Sequence, residues 1–398
     1  MAGGLGRSAV VVGAGIGGLA AAGALAHTGW RVTLLEREDR LRAEPTALLL
    51  WPSGVRALQA LGLGAGLDAI STAVPDRGLR RPDGSWLVQP GRSGTTRPVL
   101  VHAEDLHDAL MAGLGDRVDV HTGVSARPAP AAGGDDRFAV TDGEATWSGD
   151  LVVAADGIDS TLRPSVDRHC RVVSAGATTW RAVIPWYRAP QLSGADGDLA
   201  AGGQTYGDGY QFFCAALGQR GATGATSRGG LYWRATVTGA ARPEPAGTQL
   251  ALLRRWFEGW HSPVGELLGA TEPDDLVQRE LRTLQPPPHR YAIATGDGAL
   301  VLLGDAGHAL AEHLGQGAGL ALEDAATLMV GVRDAVPGAP LHAAVAAYDA
   351  TRRRRVAEVR RRSRRLGATG RLARLGPVQA RRRDKATTAA DTWQPPAG

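Results

Sequence analysis

The N-terminal residues alternate short apolar runs with glycines, in an order that predicts two strands joined by a turn and a helix. Residues 9–12 are an apolar run suited to a buried parallel strand, and they lead directly into the glycine-rich stretch 13–18. Apolar residues at helical spacing follow over 19–26, and Gly29 marks the predicted end of the helix. A second apolar run over 31–35 predicts the next strand.

An acid at the end of the second strand indicates the ligand of this unit. Glu36 falls eighteen residues after Gly18, where a carboxylate accepts hydrogen bonds from the ribose of an adenine dinucleotide. Gly13 would make the tight turn, Gly15 would let a pyrophosphate approach the backbone, and Gly18 would let helix and strand pack closely. The motif predicts a dinucleotide site without distinguishing NAD from FAD.

Three later turns extend the pattern. They are Asp156-Gly157 after the apolar run 150–155, Gly304-Asp305 after the run 299–303, and the glycine-rich turn 314–320 before a helix predicted over 321–330. Taken singly, a glycine beside an aspartate is typical of an ordinary turn. Three such turns in this order favour one cofactor site.

The middle of the chain has a different periodicity. Apolar and polar residues alternate over 180–186, 210–217 and 231–237, which predicts antiparallel strands with one face toward a ligand. Helical spacing follows over 250–257 and 264–268.

The order of these motifs resembles that of the class A flavoprotein monooxygenases, the para-hydroxybenzoate hydroxylase-like family, and in particular its salicylate hydroxylase-like branch. The resemblance runs from Val10 to about Arg365 and includes the segments 51–54, 180–185 and 348–354. It implies an α/β fold with a Rossmann-like FAD-binding domain, an inserted substrate domain built on an antiparallel sheet, and a C-terminal helix. The expected domains are 1–75, 100–175 and 285–340 for FAD binding, 76–99 and 176–284 for substrate binding, and 341–398 for an arginine-rich helix and tail.

The resemblance also implies which residues hold FAD. They are Gly13, Gly15, Ile16, Gly18, Glu36, Arg37, Arg42, Asp156, Gly157, Arg163, Gly304, Asp305, Gly315, Gln316, Gly317 and Ala318. In the family's pattern, Asp305 hydrogen-bonds the ribityl hydroxyls. The helix that opens after Gly317 points its N-terminal amides at the pyrimidine edge of the flavin, which favours the anionic reduced form.

The activity implied is hydroxylation of an aromatic or phenolic small molecule. NADH or NADPH would act as a transient reductant of FAD, and dioxygen would then form a flavin C4a-hydroperoxide that an electron-rich ring attacks, in a site shielded from water. No second GxGxxG occurs, so a separate nicotinamide domain is not expected. We expect a monomer or homodimer in the cytoplasm that binds neither nucleic acid nor a membrane.

Some positions near the cofactor depart from the family pattern. Pro45 opens a stretch where the family has a Gly-Ala-Gly-Ile loop, and Ala103 stands where the family has an arginine that helps hold FAD. Because a charge-assisted hydrogen bond contributes roughly 1.5–3 kcal/mol, the sequence predicts weakened FAD binding.

The catalytic candidates are four residues. Glu312 and His313 replace the family's proline and asparagine, and His313, oriented by Glu312, is a candidate base that deprotonates a phenol. Two solvent-facing loop residues are the alternative. Tyr206 and Tyr210 lie on predicted pocket strands and could hydrogen-bond a substrate hydroxyl, although tyrosines in a sheet also serve packing. Arg181 could reach the cofactor or an anionic substrate, or form a surface ion pair.

Charge is unevenly distributed along the chain. The formal net charge is +4, yet the stretch 352–385 holds 15 basic and 2 acidic residues, which leaves the rest at −9. In the family this stretch begins in the last long helix, so the sequence predicts a solvated helix over 343–365 lying against an acidic body. Val356, Val359 and Leu366 would form its narrow apolar seam. Nucleic-acid binding by the arginines is the alternative, but Trp393 is the only aromatic residue near them that could stack on bases.

Composition excludes several other classes. With 43% hydrophobic and 21% charged residues the chain is not disordered. Cys170 and Cys214 lie far apart and signal neither a disulfide framework nor a zinc site, which favours a reducing cytoplasm. A flavin halogenase is disfavoured because the WxWxIP segment is missing and the single lysine is Lys385. A flavin oxidase or dehydrogenase, and a redox-inactive protein that only binds a ligand, stay open.

Overall fold

The computed structural model describes residues 6–75, 78–89, 97–130, 137–192, 203–218, 228–239, 244–310, 315–367 and 392–396, with the backbone alone for 364–367. The strands are β1 (Ser8–Val12), β2 (Arg31–Leu35), β3 (Ala47–Leu50), β4 (Ser71–Ala73), β5 (Leu79–Arg80), β6 (Trp86–Val88), β7 (Val99–His102), β8 (Val118–His121), β9 (Arg127–Pro128), β10 (Ala139–Thr141), β11 (Thr146–Ser148), β12 (Leu151–Ala154), β13 (Val172–Pro185), β14 (Gly203–Tyr206), β15 (Tyr210–Leu217), β16 (Gly230–Thr238), β17 (Val277–Leu284), β18 (Ala292–Thr295) and β19 (Gly298–Leu302). The α-helices are α1 (Ile16–His27), α2 (Pro52–Ala60), α3 (Leu67–Ile70), α4 (Ala103–Ala112), α5 (Arg163–Val166), α6 (Ala246–Trp256), α7 (Val264–Ala270), α8 (Asp305–His308), α9 (Gly317–Val332) and α10 (Ala339–Gly367), with 3₁₀ turns at Gly64–Gly66 and Pro273–Asp275.

A six-stranded sheet carries the dinucleotide motif. Its order is β18-β19-β12-β1-β2-β8, and every neighbouring pair is parallel except β18 with β19. All residues of β12 and β19 are buried, the pattern of a parallel sheet with both faces covered. The carboxyl ends of β1, β12 and β19 meet at one edge, which is where open α/β sheets bind their ligands.

A seven-stranded sheet forms the second large layer, in the order β17-β13-β16-β15-β14-β5-β6. Its pairs are antiparallel apart from β14 with β5. Alternate residues of β13, β15 and β16 point to opposite faces. On one face, Trp180, Phe212 and Trp233 form an aromatic core with residues of α6 and α7.

The small sheet β3-β7-β4 joins the two layers. Ala47 of β3 and Leu100 of β7 pack against Phe213 and Tyr232 on the other face of the seven-stranded sheet. This contact encloses a cleft between the edge of the parallel sheet and the second layer.

The observed helix α9 begins at Gly317, four residues before the start predicted from the sequence. Its first turn contains Gly319, which the chain uses for close packing. A Cβ on Gly54 of α2 would lie 3.1 Å from the Cα of Gly319. Tertiary packing here overrides the low helix propensity of glycine.

The C-terminal helix α10 contradicts the expectation of a solvated arginine helix. Arg352 is completely buried, and Arg355 and Arg360 are each 7% exposed. Arg352 Nε donates to Asp324 Oδ1 at 2.5 Å, and Arg355 donates to both carboxylate oxygens of Glu323 at 2.9 and 2.8 Å. The acidic partners lie on α9, about 30 residues away in sequence, so the arginine pattern alone did not reveal them.

A smaller expectation concerns the apolar seam of α10. Val356 and Val359 are buried, as predicted, whereas the side chain of Leu366 lies outside the described residues. None of the helices in the described ranges is long and apolar enough to cross a membrane.

Candidate flavin and substrate site

The cleft between the two layers has a volume of about 340 Å³. The turns after β1 and β19 and the N-terminus of α9 line one side, and side chains of the seven-stranded sheet line the other. Most of the residues predicted to bind FAD meet here: Gly15, Ile16, Gly18, Gly157, Gly304, Asp305, Gly315, Gln316, Gly317 and Ala318.

The glycine turn has the geometry that the motif predicts. Gly13 has a φ of +100°, and a Cβ there would lie 2.4 Å from the carbonyl oxygen of Ala155. A Cβ on Gly18 would lie 1.8 Å from the carbonyl oxygen of Gly13, so this position must be glycine for α1 to pack on the turn. A Cβ on Gly15 would meet no protein atom within 4 Å. Gly15 therefore leaves open space for a ligand at the N-terminus of α1.

Glu36 lies beside the turn and braces it. Its two carboxylate oxygens accept hydrogen bonds from the backbone N–H groups of Ala14 (2.7 Å) and Glu38 (3.0 Å). Arg37 and Arg42 are exposed, lie 3.6 Å from Glu38 carboxylate oxygens, and do not line the cleft.

The turn after β12 contributes backbone to the cleft, while its charged side chains support the turn. Asp156 Oδ2 accepts a hydrogen bond from the N–H of Thr161 at 2.8 Å, and burial raises the pKa of Asp156. Arg163 is buried, and its guanidinium donates to the carbonyl oxygens of Ala306 (3.1 Å) and Ile158 (2.7 Å). It therefore ties two cleft turns together, whereas the sequence placed it against FAD.

The turn after β19 presents a carboxylate to the cleft. The side chain of Asp305 borders this open space. The protein atoms packed around its carboxylate disfavour the charged form, which raises the pKa of Asp305. The preceding residue, Gly304, donates its N–H to Asp324 Oδ2 at 2.8 Å, and His308 Nε2 lies 2.6 Å from the same oxygen. The buried carboxylate of Asp324 therefore holds the turn that carries Asp305.

Gln316 shows that the cleft is built for a polar ligand. Its side chain is 5% exposed, and neither its amide oxygen nor its amide nitrogen has a hydrogen-bond partner among the described residues. Gln316 is also the N-cap residue of α9, and its side chain does not cap the N–H groups of the first turn. A buried amide without a partner among the described residues, a helix N-terminus and the carboxylate of Asp305 fit the hydroxyls and polar ring edge of FAD.

Three side chains of the seven-stranded sheet cover the cleft: Arg181, Tyr232 and Arg234. The two arginines are direct cross-strand neighbours on β13 and β16. Burial, together with the positive charge of Arg234, lowers the pKa of Arg181, which is 8% exposed. The guanidinium carbon of Arg234 lies 5.9 Å from the centre of the Phe213 ring. The only carboxylate among the described lining residues is Asp305, so this side of the cleft is positive.

The two tyrosines predicted as catalytic candidates lie outside the cleft. Tyr206 is buried against Leu87 and Val88, and its hydroxyl donates to Gln204 at 2.8 Å. Tyr210 packs its ring on Phe257 on the helix-covered face of the sheet. Neither tyrosine lines the cleft, so their position does not support the catalytic role predicted from the sequence. Glu312 and His313 lie outside the described residues.

The sequence did not identify Arg234 as a residue of the site. The signal was the alternation along β16, where Leu231, Trp233 and Ala235 enter the aromatic core. Tyr232 and Arg234 must then point to the other face. What the alternation could not reveal was that this other face covers the cofactor cleft.

Comparison with known proteins agrees with this geometry. A family model described as "FAD binding domain" matches residues 7–363. The chain is 33% identical to 3-amino-4-hydroxybenzoate 2-monooxygenase of Streptomyces cremeus, over 89% of this chain and 86% of the relative. It is 31% identical to an FAD-dependent urate hydroxylase of Klebsiella pneumoniae, over 88% and 87%.

A solved structure of an FAD complex has a similar fold. Klebsiella pneumoniae HpxO in complex with FAD and uric acid superposes with a TM-score of 0.77 at 26% identity, over 97% of this chain and 96% of that one. With the cleft, the glycine turn and the carboxylate of Asp305 in place, the chain belongs to the FAD-binding family of class A flavoprotein monooxygenases.

Proposed function

We propose that this protein uses FAD, with NADH or NADPH as reductant and dioxygen as oxidant, to hydroxylate an aromatic small molecule that carries an acidic group. The observation that carries the proposal is the cleft itself, in which the FAD-binding turns lie opposite the paired arginines of the sheet. Relatives named for 3-amino-4-hydroxybenzoate and for urate, both acidic ring compounds, support the same substrate class. Two buried free cysteines fit a reducing cytoplasm, where we place the enzyme as a monomer or homodimer.

The cofactor supplies the redox chemistry, accepting a hydride and activating dioxygen. The chain's residues bind and orient it. The glycine turn and the N-terminus of α1 would hold the pyrophosphate, and Asp305 would accept hydrogen bonds from the ribityl hydroxyls. The side chain of Gln316 and the N–H groups of the first turn of α9 would hydrogen-bond the polar edge of the ring, and the partial positive charge of the helix N-terminus would favour negative charge there. The seven-stranded sheet covers the cleft and limits entry of water.

The arginine pair gives the cleft its substrate preference. Arg181 and Arg234 are direct cross-strand neighbours, so an anion bound beside them would be attracted by both guanidinium charges. A planar guanidinium binds a carboxylate through two parallel hydrogen bonds. An aromatic acid is therefore the substrate class that best matches the charge of the cleft.

We also propose His313 as the general base that deprotonates a phenolic substrate, with Glu312 orienting it. In support, Leu310 and Gly315, which flank residues 311–314 in the chain, both line the cleft. An unperturbed imidazole titrates near pH 6.5, which suits this role near neutrality. Replacing His313 with alanine should lower kcat and remove the acid limb of the pH–rate profile. If turnover is unchanged across pH, the two residues are ordinary loop positions.

The activity is tested with the FAD-loaded protein, NADH or NADPH, and a panel containing 4-hydroxybenzoate, 3-amino-4-hydroxybenzoate, urate and the neutral methyl 4-hydroxybenzoate. We expect one of the acids to accelerate nicotinamide oxidation and to yield a hydroxylated product, and the ester to do neither. Hydrogen peroxide is measured in parallel. Peroxide equal to the nicotinamide consumed, without product, would instead support an oxidase, and an absence of flavin reduction under every condition would support a ligand-binding protein.

A further inference from the structure

A second cavity, of about 220 Å³, lies beside the cleft and has no role in the function proposed above. Its lining includes His102, Val183, Arg228 and Asp274. His102 is the direct cross-strand partner of Ala47, which lines the cleft. Val183 is likewise the direct partner of Tyr232. Directly opposed residues point to the same face of a sheet, so both walls of the cleft continue into this cavity.

His102 lines the cavity and can supply a hydrogen-bond donor to it. Its side chain is 5% exposed, and its Nδ1 accepts a hydrogen bond from the backbone N–H of Glu104 at 3.3 Å. Burial lowers the pKa of His102, which favours the neutral ring. In a neutral imidazole whose Nδ1 is the acceptor, the proton is on Nε2. Nε2 has no hydrogen-bond partner among the described residues.

The charged groups around the cavity supply acceptors. Arg228 is neutralised by Glu104, Asp105 and Asp108, whose carboxylate oxygens lie 2.8, 2.5 and 3.1 Å from its guanidinium. Asp274 is exposed to solvent at the cavity wall.

Asp275 already accepts a hydrogen bond from Arg188 at 2.7 Å. The cavity therefore combines one neutral donor with an excess of negative charge, the opposite of the arginine pair in the cleft. An anionic group would be disfavoured here, whereas a hydroxyl could accept from His102 and donate to a carboxylate.

We propose that this cavity is a second substrate subsite, in which His102 donates a hydrogen bond to a hydroxyl carried by the part of the substrate distant from the reacting ring. The proposal rests on the proposed function, since the acidic ring occupies the cleft. Pro45 and Val183 supply apolar walls for a second ring or chain. The substrate is then larger than a single benzoate ring, and His102 determines specificity for its far end.

The test compares three probes by calorimetric titration of the FAD-loaded protein: 4′-hydroxybiphenyl-4-carboxylate, biphenyl-4-carboxylate and 4-hydroxybenzoate. We expect the distal hydroxyl to tighten binding about 5- to 10-fold, the range of one hydrogen bond. His102→Asn should abolish this gain, because asparagine retains the helix cap on Glu104 but does not reach the cavity. His102→Gln places an N–H near the former Nε2 and should retain part of the gain. Binding of 4-hydroxybenzoate should be the same in all three proteins.

A hydroxyl preference that persists in His102→Asn, an equal loss for 4-hydroxybenzoate, or a failure of both biphenyl acids to bind where 4-hydroxybenzoate does, would overturn the subsite. Failure of the proposed function would give a different experimental result. In that case no acid is hydroxylated, while the difference between the two biphenyl acids in the wild type and the variants still reports on His102.

Discussion

Gly15 and Gly18 of the first turn are glycines for different reasons. Gly18 is required by packing, since a side chain there would collide with the backbone of Gly13. Gly15 is required by nothing in the protein itself, because a Cβ would enter open cleft. The sequence motif assigned the same two tasks, and the distances now assign a measurable consequence to each.

We predict that Gly15→Ala folds with nearly the stability of the wild type but binds FAD at least 10-fold more weakly, since the methyl group occupies ligand space. Gly18→Ala is the matched comparison and should lose several kcal/mol of unfolding free energy through overpacking. Thermal unfolding of the apoproteins and fluorescence titration with FAD measure the two effects. A Gly15→Ala apoprotein as unstable as Gly18→Ala would contradict the division of tasks.

At the scale of elements, α10 shows where reading a charge pattern fails. Fifteen basic residues in 352–385 suggested a solvated helix, yet three of the arginines are buried in contact with other elements. Arg352 and Arg355 satisfy two buried carboxylates of α9, and Asp324 in turn holds the N–H of Gly304. The helix is therefore connected, through α9, to the turn that presents Asp305.

We predict that Arg352→Met lowers the free energy of unfolding by about 3–5 kcal/mol, because it leaves buried carboxylates without their partner. The control is Arg354→Met on the exposed side of α10, which should change it by less than about 0.5 kcal/mol. Urea denaturation near neutral pH measures both. Equal effects of the two substitutions would mean that the buried pair adds nothing to docking of the helix.

The same pair has a pH signature. Burial by itself raises the pKa of Asp324, but Arg352 and His308 outweigh it and hold that pKa below its ordinary value. A carboxyl with a lowered folded-state pKa stabilises the fold above its unfolded pKa of about 3.9, and this contribution is lost as the pH falls through the folded value. The difference in stability between the wild type and Arg352→Met should therefore shrink below about pH 4.

At the scale of the whole molecule, the site exists because two layers close over each other. Neither the parallel sheet nor the seven-stranded sheet forms the cleft alone, and the small sheet β3-β7-β4 joins them. Ala103, where the family has an arginine, opens α4 directly after that small sheet and is 5% exposed. The missing arginine is expected to weaken the retention of FAD by the protein.

We predict that FAD separates from the wild-type protein during gel filtration and that Ala103→Arg tightens FAD binding by about 10-fold or more, the effect of one charge-assisted hydrogen bond. Ala112→Arg, at the exposed end of the same helix, is the control for added charge and should leave the affinity unchanged. Flavin absorbance across the eluted protein peak measures retention. Unchanged affinity in Ala103→Arg, or equal tightening in both variants, would contradict the idea.

The sequence by itself determined the local chemistry: the strand, turn and helix around Gly13, Gly15 and Gly18, and the turn ending in Asp305. These follow from backbone conformation and from residues adjacent in the chain, which periodicity and glycine spacing report directly. Only the tertiary structure decided which sheet face covers the cleft. It placed Arg234 there, packed Tyr206 and Tyr210 elsewhere, and buried Arg352 against Asp324. Such contacts join residues far apart in sequence, and the alternation of a strand reveals that it has two faces without revealing what each face meets.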